Sequence, residues 1–437
     1  MTATAQGSKK LPPGPAQPCD LNTTPESFDI IAGLLAEYGD ICRLTSSSRK
    51  SDGYLVNHPD YLKHILVKNH QNYTKGVGFD RVKMLLGNGI IVSDGPFWRR
   101  QRRMIQPAFS RKVIADLSEQ IKRCNLELLD SWAVKADRGE PINITSESSE
   151  LALQIVLRSL FSEDLDRIIA EHGSNPFSIL TEDMARDMQL VIKFRALSKI
   201  ILGVIERRRR EQPERVDFLA MFMNSRDKET DEAMTDRELL DEIMTMIIAG
   251  HETSAITLNW VWYFLASYPE VERKLQAEVD RAGYAQIPGF DDLEQLPYVK
   301  QVVEEALRYY PPVWLYTRRA IEDDQLGDYF VPAGTDIFIT PYYLHRHPRY
   351  WSQPEKFDPE RFAEENIREQ HKQAYIPFSA GPRRCIGDFF ATVEMQMHFG
   401  LMARKFRVQL LDDQPLELEP AVNLRNKQPI YLQLIRR

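Results

Sequence analysis

The stretch FSAGPRRCIG, residues 378 to 387, decides how this chain is read. It sets two glycines and a proline around one cysteine, Cys385, just ahead of Phe389, Val393 and Met397, whose spacing is that of a single helix face. A helix beginning at Cys385 puts the sulfur among free amides at the positive end of the macrodipole, where a thiol pKa falls and a thiolate ligand forms. Gly381 and Gly387 permit a tight turn and close backbone approach to a flat group. Phe378 is placed to shield the sulfur, and Arg383 adds a cation beside it.

The chain around this stretch has 437 residues, of which 43% are hydrophobic and 27% charged. That balance excludes disordered, collagen-like and disulfide-scaffold classes. A net charge of −7 gives nucleic-acid binding no global support. Cys19, Cys42 and Cys124 form no CxxC pair with one another or with Cys385, so a reducing compartment is expected and the first three read as buried structural thiols. Nowhere does an apolar run approach the ~20 residues that span a bilayer. The expectation is a soluble, cytoplasmic monomer with residues 1–20 as a flexible Pro-rich segment and 21–437 as one domain. The LPPGP start also suits the hinge that follows a membrane anchor in some proteins.

Periodicity of 3.6 residues predicts helices over 110–135, 147–162, 190–210, 236–268, 269–282 and 297–309. Short strands are expected at 41–45, 53–57, 325–340 and 429–435. The fold class is therefore mainly α with small β-sheets. The 236–268 segment is apolar on nearly all sides, yet its centre holds Ala249, Gly250, His251, Glu252, Thr253 and Ser254. Polar groups in mid-core are expensive and mark function or strain. Small Ala249 and Gly250 allow close approach to that helix, and hydroxyl bonding by Thr253 is expected to open its ladder locally. A zinc HExxH reading fails, because Ala255 stands where the second histidine is required.

Two further patterns stand out. Glu305 and Arg308 lie one turn apart in EEALRYYPP, with Arg361 following in FDPERF, so a carboxylate with two guanidinium partners is expected. Trp98 and Arg102 occur in GPFWRRQRRMIQ beside Arg99, Arg100 and Arg103, a local basic cluster on an acidic chain. A solvated helix face is the alternative reading of that cluster. His345 and His347 are expected to pack or hydrogen-bond.

Taken together, these stretches resemble the cytochrome P450 family. FxxGxRxCxG is that family's heme-ligand signature, AGHETS is similar to its oxygen-activation motif, and Glu305/Arg308, Arg361 and the Trp98/Arg102 pair match its remaining motifs in family order. The resemblance implies the cytochrome P450 fold, heme b held by Cys385, and dioxygen as co-substrate. It implies catalytic roles in proton delivery for Thr253 and Glu252, propionate contacts from Trp98, Arg102, Arg383 and Arg318 (with Arg319 the competitor), and a scaffold role for Glu305, Arg308 and Arg361. Electrons are expected from a separate ferredoxin or flavodoxin/reductase-type donor docking near Arg99, Arg100, Arg103 and Arg384. The substrate is expected to be a hydrophobic small molecule met by residues 77–86, 184–192, 313–315 and 422–424 and the Ala249 region. The stretch between 163 and 196 reads as a shortened lid. Alternatives are a peroxide-driven or isomerising enzyme of the same fold, or a non-enzymatic heme sensor.

Overall fold

Thr235 stops the preceding chain and starts the longest helix. Its hydroxyl accepts from the Glu238 N–H while Glu238 accepts from the Thr235 N–H at 2.8 Å, a capping box. In the computed structural model, which describes residues 9–181, 190–283, 289–367, 373–411 and 416–437, the helix then runs unbroken from Asp236 to Ser267. It is buried on all sides over most of its length, between the helix Ile144–Phe161 and the helices Pro297–Tyr309 and Asp388–Met402. No helix among the described residues is long and apolar enough to cross a membrane.

The helices expected from periodicity lie at Arg111–Asp137, Ile144–Phe161, Leu190–Glu211, Asp236–Ser267, Pro269–Ala282 and Pro297–Tyr309. A first helix, Pro25–Tyr38, escaped the periodic reading; Thr24 caps it. Buried polar groups pin the bundle where hydrophobic contact alone would leave freedom. His398 accepts from Trp262 Nε1 at 2.8 Å through Nε2, and its Nδ1 lies 2.7 Å from Asn125 Oδ1. Both ring nitrogens are used in the neutral form, and burial pushes the His398 pKa down to about 3.

Beside the helices lies a five-stranded sheet in the order Ile41–Leu44, Gly53–Val56, Asp336–Ile339, Tyr316–Ala320, Tyr73–Lys75. One internal pair, Gly53–Val56 with Asp336–Ile339, is parallel and the rest antiparallel. The 325–340 stretch, read as strand-like, breaks into Asp324–Leu326, Tyr329–Val331 and Asp336–Ile339 because Gly327 and Gly334 take φ of 58° and 83°. Residues 9–20, within the 1–20 segment expected to be flexible, are tied to this sheet and to the separate hairpin of Asp324–Leu326 with Tyr329–Val331. The carbonyls of Lys10 and Pro13 accept from Phe330 and Arg43 N–H, and Cys19 N–H donates to Thr45, each at 2.8 Å. These bonds satisfy backbone groups that two sheet segments would otherwise leave open.

Candidate active site

Cys385 sits three residues before the helix Asp388–Met402, not at its first turn as expected. The loop closes on itself through Cys385 N–H to Phe378 carbonyl at 2.9 Å. Ser379 and Gly381 take φ of 60° and 70°. Gly381 is required by protein packing, since a Cβ there would fall 1.9 Å from the Leu66 carbonyl oxygen. The Gly387 backbone amide favours the charged form of the sulfur. Nevertheless the thiol pKa is raised, not lowered as predicted: desolvation outweighs that amide and the attraction of Arg102 and Arg384. Cys385 is at once solvent-accessible and strongly desolvated by surrounding protein, which is the situation of a thiol lining a concave site. Cys42 and Cys124 are buried and Cys19 half-buried, as packing thiols.

Around the loop stands a group of cations. Arg383 donates to the Ser93 carbonyl at 3.0 Å, pairs with Asp94, and lies 4.1 Å from the Trp98 ring centroid. Burial is the main reason its pKa falls to about 10. Arg102 donates to the Arg384 carbonyl at 3.1 Å and to Gln106 at 3.3 Å. On the strand Tyr316–Ala320, alternation puts Arg318 and Arg319 on opposite faces. Arg319 forms a two-pronged pair with Asp336, its cross-strand partner, while Arg318 turns inward at 4% exposure. Its pKa is lowered by desolvation. Lys75 faces Arg318 across the ladder.

The central helix opens at one place. Residues 239–247 and 254–262 are buried throughout, whereas Ala249, Gly250, Glu252 and Thr253 are partly accessible. The helix stays unbroken here, with Thr253 Oγ1 donating to the Ala249 carbonyl at 2.7 Å. Gly250 serves helix packing: a Cβ there would lie 3.1 Å from Val156 of the helix Ile144–Phe161. His251 turns away to Ser149 at 2.9 Å, and burial pushes its pKa down to about 4.

Glu305 and Arg308 are fully buried. Arg308 donates twice to Glu305, at 2.7 and 2.9 Å, and to the His345 carbonyl at 2.9 Å; Arg361 adds a third contact at 3.3 Å. Asp358 N–H completes the set at 2.8 Å. His345 accepts from Ile376 N–H at 3.0 Å, and His347 meets Asp40 at 2.9 Å, so both are structural.

A family model for cytochrome P450 matches residues 20–172 and 174–434. This chain is a cytochrome P450. It is 32% identical over 408 residues to cyclooctatin synthase of Streptomyces melanosporofaciens, covering 89% of this chain and 87% of that protein. Cyclooctat-9-en-7-ol 5-monooxygenase of the same organism is 30% identical, with 90% and 91% covered. The chloroplastic protein LUTEIN DEFICIENT 5 of Arabidopsis thaliana is 33% identical, with 87% and 69% covered. The fold matches the cytochrome P450DA heme domain with a TM-score of 0.86 at 24% identity, over 98% of both chains. The enzyme is thus a monooxygenase of this family, and heme is its cofactor.

The residues fit that group. An accessible sulfur whose charged form a backbone amide favours suits the iron. Lys75, Arg102 and Arg318 lack a carboxylate ion pair among the described residues, and such a surplus of desolvated cations suits an anionic macrocycle. The basic cluster divides into paired and exposed members. Arg100 is bound to Glu238 at 2.9 Å and Arg103 to Asp227 and Glu229 at 2.9 and 2.7 Å, so both hold the 227–238 segment in place. Arg99 is exposed, and Arg384 is exposed but paired with Asp388. Among the expected substrate segments, Trp314 and Leu315 are buried core, Leu424 is buried, and Val313 stays partly accessible. Residues 184–189 lie outside the described residues. Lys75 was missed by sequence reasoning; its signal was its place in the edge strand YTK, directly before Gly76, which no motif covers.

Proposed function

We propose that this cytochrome P450 binds heme b through Cys385 and hydroxylates or epoxidises a hydrophobic, terpenoid-like small molecule. The stoichiometry of hydroxylation is RH + O2 + 2 e− + 2 H+ → ROH + H2O, with the electrons delivered by a separate ferredoxin or flavodoxin/reductase-type donor. The observation that carries this reading is that Cys385 is accessible in its loop, and that Ala249, Gly250, Glu252 and Thr253 are accessible on a central helix otherwise largely buried. Relatives named for cyclooctatin and cyclooctat-9-en-7-ol support the substrate class.

When bound, the heme supplies dioxygen activation, with the thiolate pushing electron density toward the iron. The Gly387 N–H tempers the charge on the Cys385 sulfur. Thr253 Oγ1 holds a transferable proton, and its bond to the Ala249 carbonyl parks the hydroxyl until a better acceptor arrives. Glu252, partly accessible on the adjoining position, relays protons to it. Arg102, Arg318 and Arg383, with Trp98 beneath Arg383, hold the cofactor's carboxylates. Arg99 and Arg384 form the exposed part of the donor-docking face.

The test is the absorption spectrum of the reduced, carbonyl-bound protein, which reports a sulfur ligand. Wild type should give the thiolate spectrum and Cys385→Ser should not. Retention of the same spectrum by Cys385→Ser defeats the proposal.

A further inference from the structure

Between the helices Asp164–His172 and Leu190–Glu211 lies a surface cavity of about 270 Å³. None of its lining residues belongs to the heme site described above. Ile168 of the first helix and Ile200 and Val204 of the second give it an apolar floor. That floor is bare at Gly203, where a Cβ would meet nothing within 4 Å. A glycine in mid-helix weakens the helix, and unlike Gly250 and Gly381 this one relieves no close contact. What it provides is room.

The walls carry charge. Arg207 is 12% exposed at its side chain, and its Nε and Nη2 find no hydrogen-bond acceptor. Two carboxylates stand near it without closing: Asp164 is 3.7 Å from Nη2 and Glu171 3.5 Å from Nη1. Each is held at shorter range by another arginine, Asp164 by Arg208 at 2.6 Å and Glu171 by Arg167 at 3.1 Å. Lys199, exposed on the same helix, has no acidic partner among the described residues. Lys199 and Arg207 stand one turn to either side of Gly203, so two long cationic side chains flank the space that glycine leaves. A largely buried guanidinium short of acceptors is costly, and a bound anion would offset that cost.

We propose that this cavity is a second ligand site, separate from the heme, that takes an amphipathic carboxylate. Its head lies over Gly203 between Lys199 and Arg207, and its apolar body covers Ile168, Ile200 and Val204. The planar fork of Arg207 suits a carboxylate, whereas the second charge of a phosphate would face Glu171 and Asp164. The volume is just under the ~300–1,000 Å³ of ordinary small-molecule sites, which admits a medium-length chain or one terpenoid unit.

The experiment uses the full heme-loaded enzyme and a photoreactive decanoate with a diazirine at its chain end, the label being located by digestion and mass spectrometry. Wild type should be labelled within 164–211, and an excess of plain decanoate should suppress that label. Gly203→Leu fills the cavity from an exposed position with open space beside it, using a better helix former. Its melting temperature and carbonyl-bound spectrum should hold while labelling within 164–211 falls about tenfold or more. Lys199→Gln should lower labelling about tenfold, the value of one charge-assisted hydrogen bond. It decides the matter should Gly203→Leu melt early. The matching photoreactive decanol should label at least about tenfold less than the acid. No saturable label within 164–211, a label confined to peptides holding Thr253 or Cys385, or a label that both variants leave intact overturns the site. Equal labelling by decanol overturns its choice of an anion.

Discussion

Glu305→Gln removes one charge from the most enclosed ion pair among the described residues. Glu305 and Arg308 are both at 0% exposure, and the carboxylate takes four donors: Arg308 twice, Asp358 N–H and Arg361. A glutamine keeps one acceptor oxygen and turns an NH2 toward guanidinium groups, so Arg308 becomes a buried cation without its counter-ion. Breaking a buried pair costs about 3–5 kcal/mol. The His345, Ser352 and Gln353 carbonyls still solvate the two arginines, at 2.9, 2.6 and 2.8 Å, which places the loss near the lower end of that range. The control is Glu127→Gln, which opens the exposed Arg123 pair at 3.0 Å and should cost about 0.5 kcal/mol or less. Urea unfolding followed by far-ultraviolet circular dichroism gives both numbers. The double variant Glu305→Leu with Arg308→Met should be less damaging than either single change, because the fully buried pair goes together and Arg361 keeps the Ser352 and Gln353 carbonyls. A Glu305→Gln cost below about 1 kcal/mol would refute the argument that this pair is a desolvated keystone.

Other expectations concern single groups. Glu394 is buried against Ser254 Oγ at 2.8 Å, and desolvation raises its pKa to about 8. The folded state therefore holds a proton that the unfolded chain releases near pH ~4.3. The stability contribution is full below that pH and is lost as pH rises toward 8. Glu394→Gln should flatten the fall in urea midpoint between about pH 6 and pH 8, roughly the upper half of that window; an unchanged slope counts against it. Gly381→Ala puts a methyl 1.9 Å from the Leu66 carbonyl at a φ of 70°, so it should lower the melting temperature and the heme content together. A variant with wild-type melting and heme would contradict that geometry. Thr253→Ala should lower product formed per NAD(P)H consumed, with turnover down about a hundredfold or more and little change in melting. Full coupling in that variant would remove Thr253 from proton delivery.

Legibility in the sequence followed the range of the interaction. The long apolar helix Asp236–Ser267 and its neighbours were readable because periodicity and caps are local. So was the Glu305/Arg308 pair, one helical turn apart. Cys385 was readable by spacing, but its electrostatics were not: where the helix begins, and how far burial outweighs an N–H donor, depend on what packs around it. Gly250 and Gly381 were marked as special positions, yet what presses on them, Val156 and the Leu66 carbonyl, comes from distant chain. The ion pairs of Arg100 and Arg103 were not legible, because their acidic partners lie more than a hundred residues away in sequence. Lys75 stayed hidden because cross-strand register with Arg318 links two segments joined by most of the protein.

The double use of Glu238 has a geometric consequence. One of its oxygens closes the cap on Thr235 and the other holds Arg100, so the central rod is clocked at its origin to the helix that carries Trp98 and Arg102. Thr253 lies roughly four turns downstream along an unbroken screw. A single residue inserted between them would swing Thr253 by about 100° and advance it by about 1.5 Å, aiming its hydroxyl at a neighbouring helix. Volume-conserving apolar exchanges along this stretch leave that aim unchanged, whereas its length behaves as a fixed gear ratio.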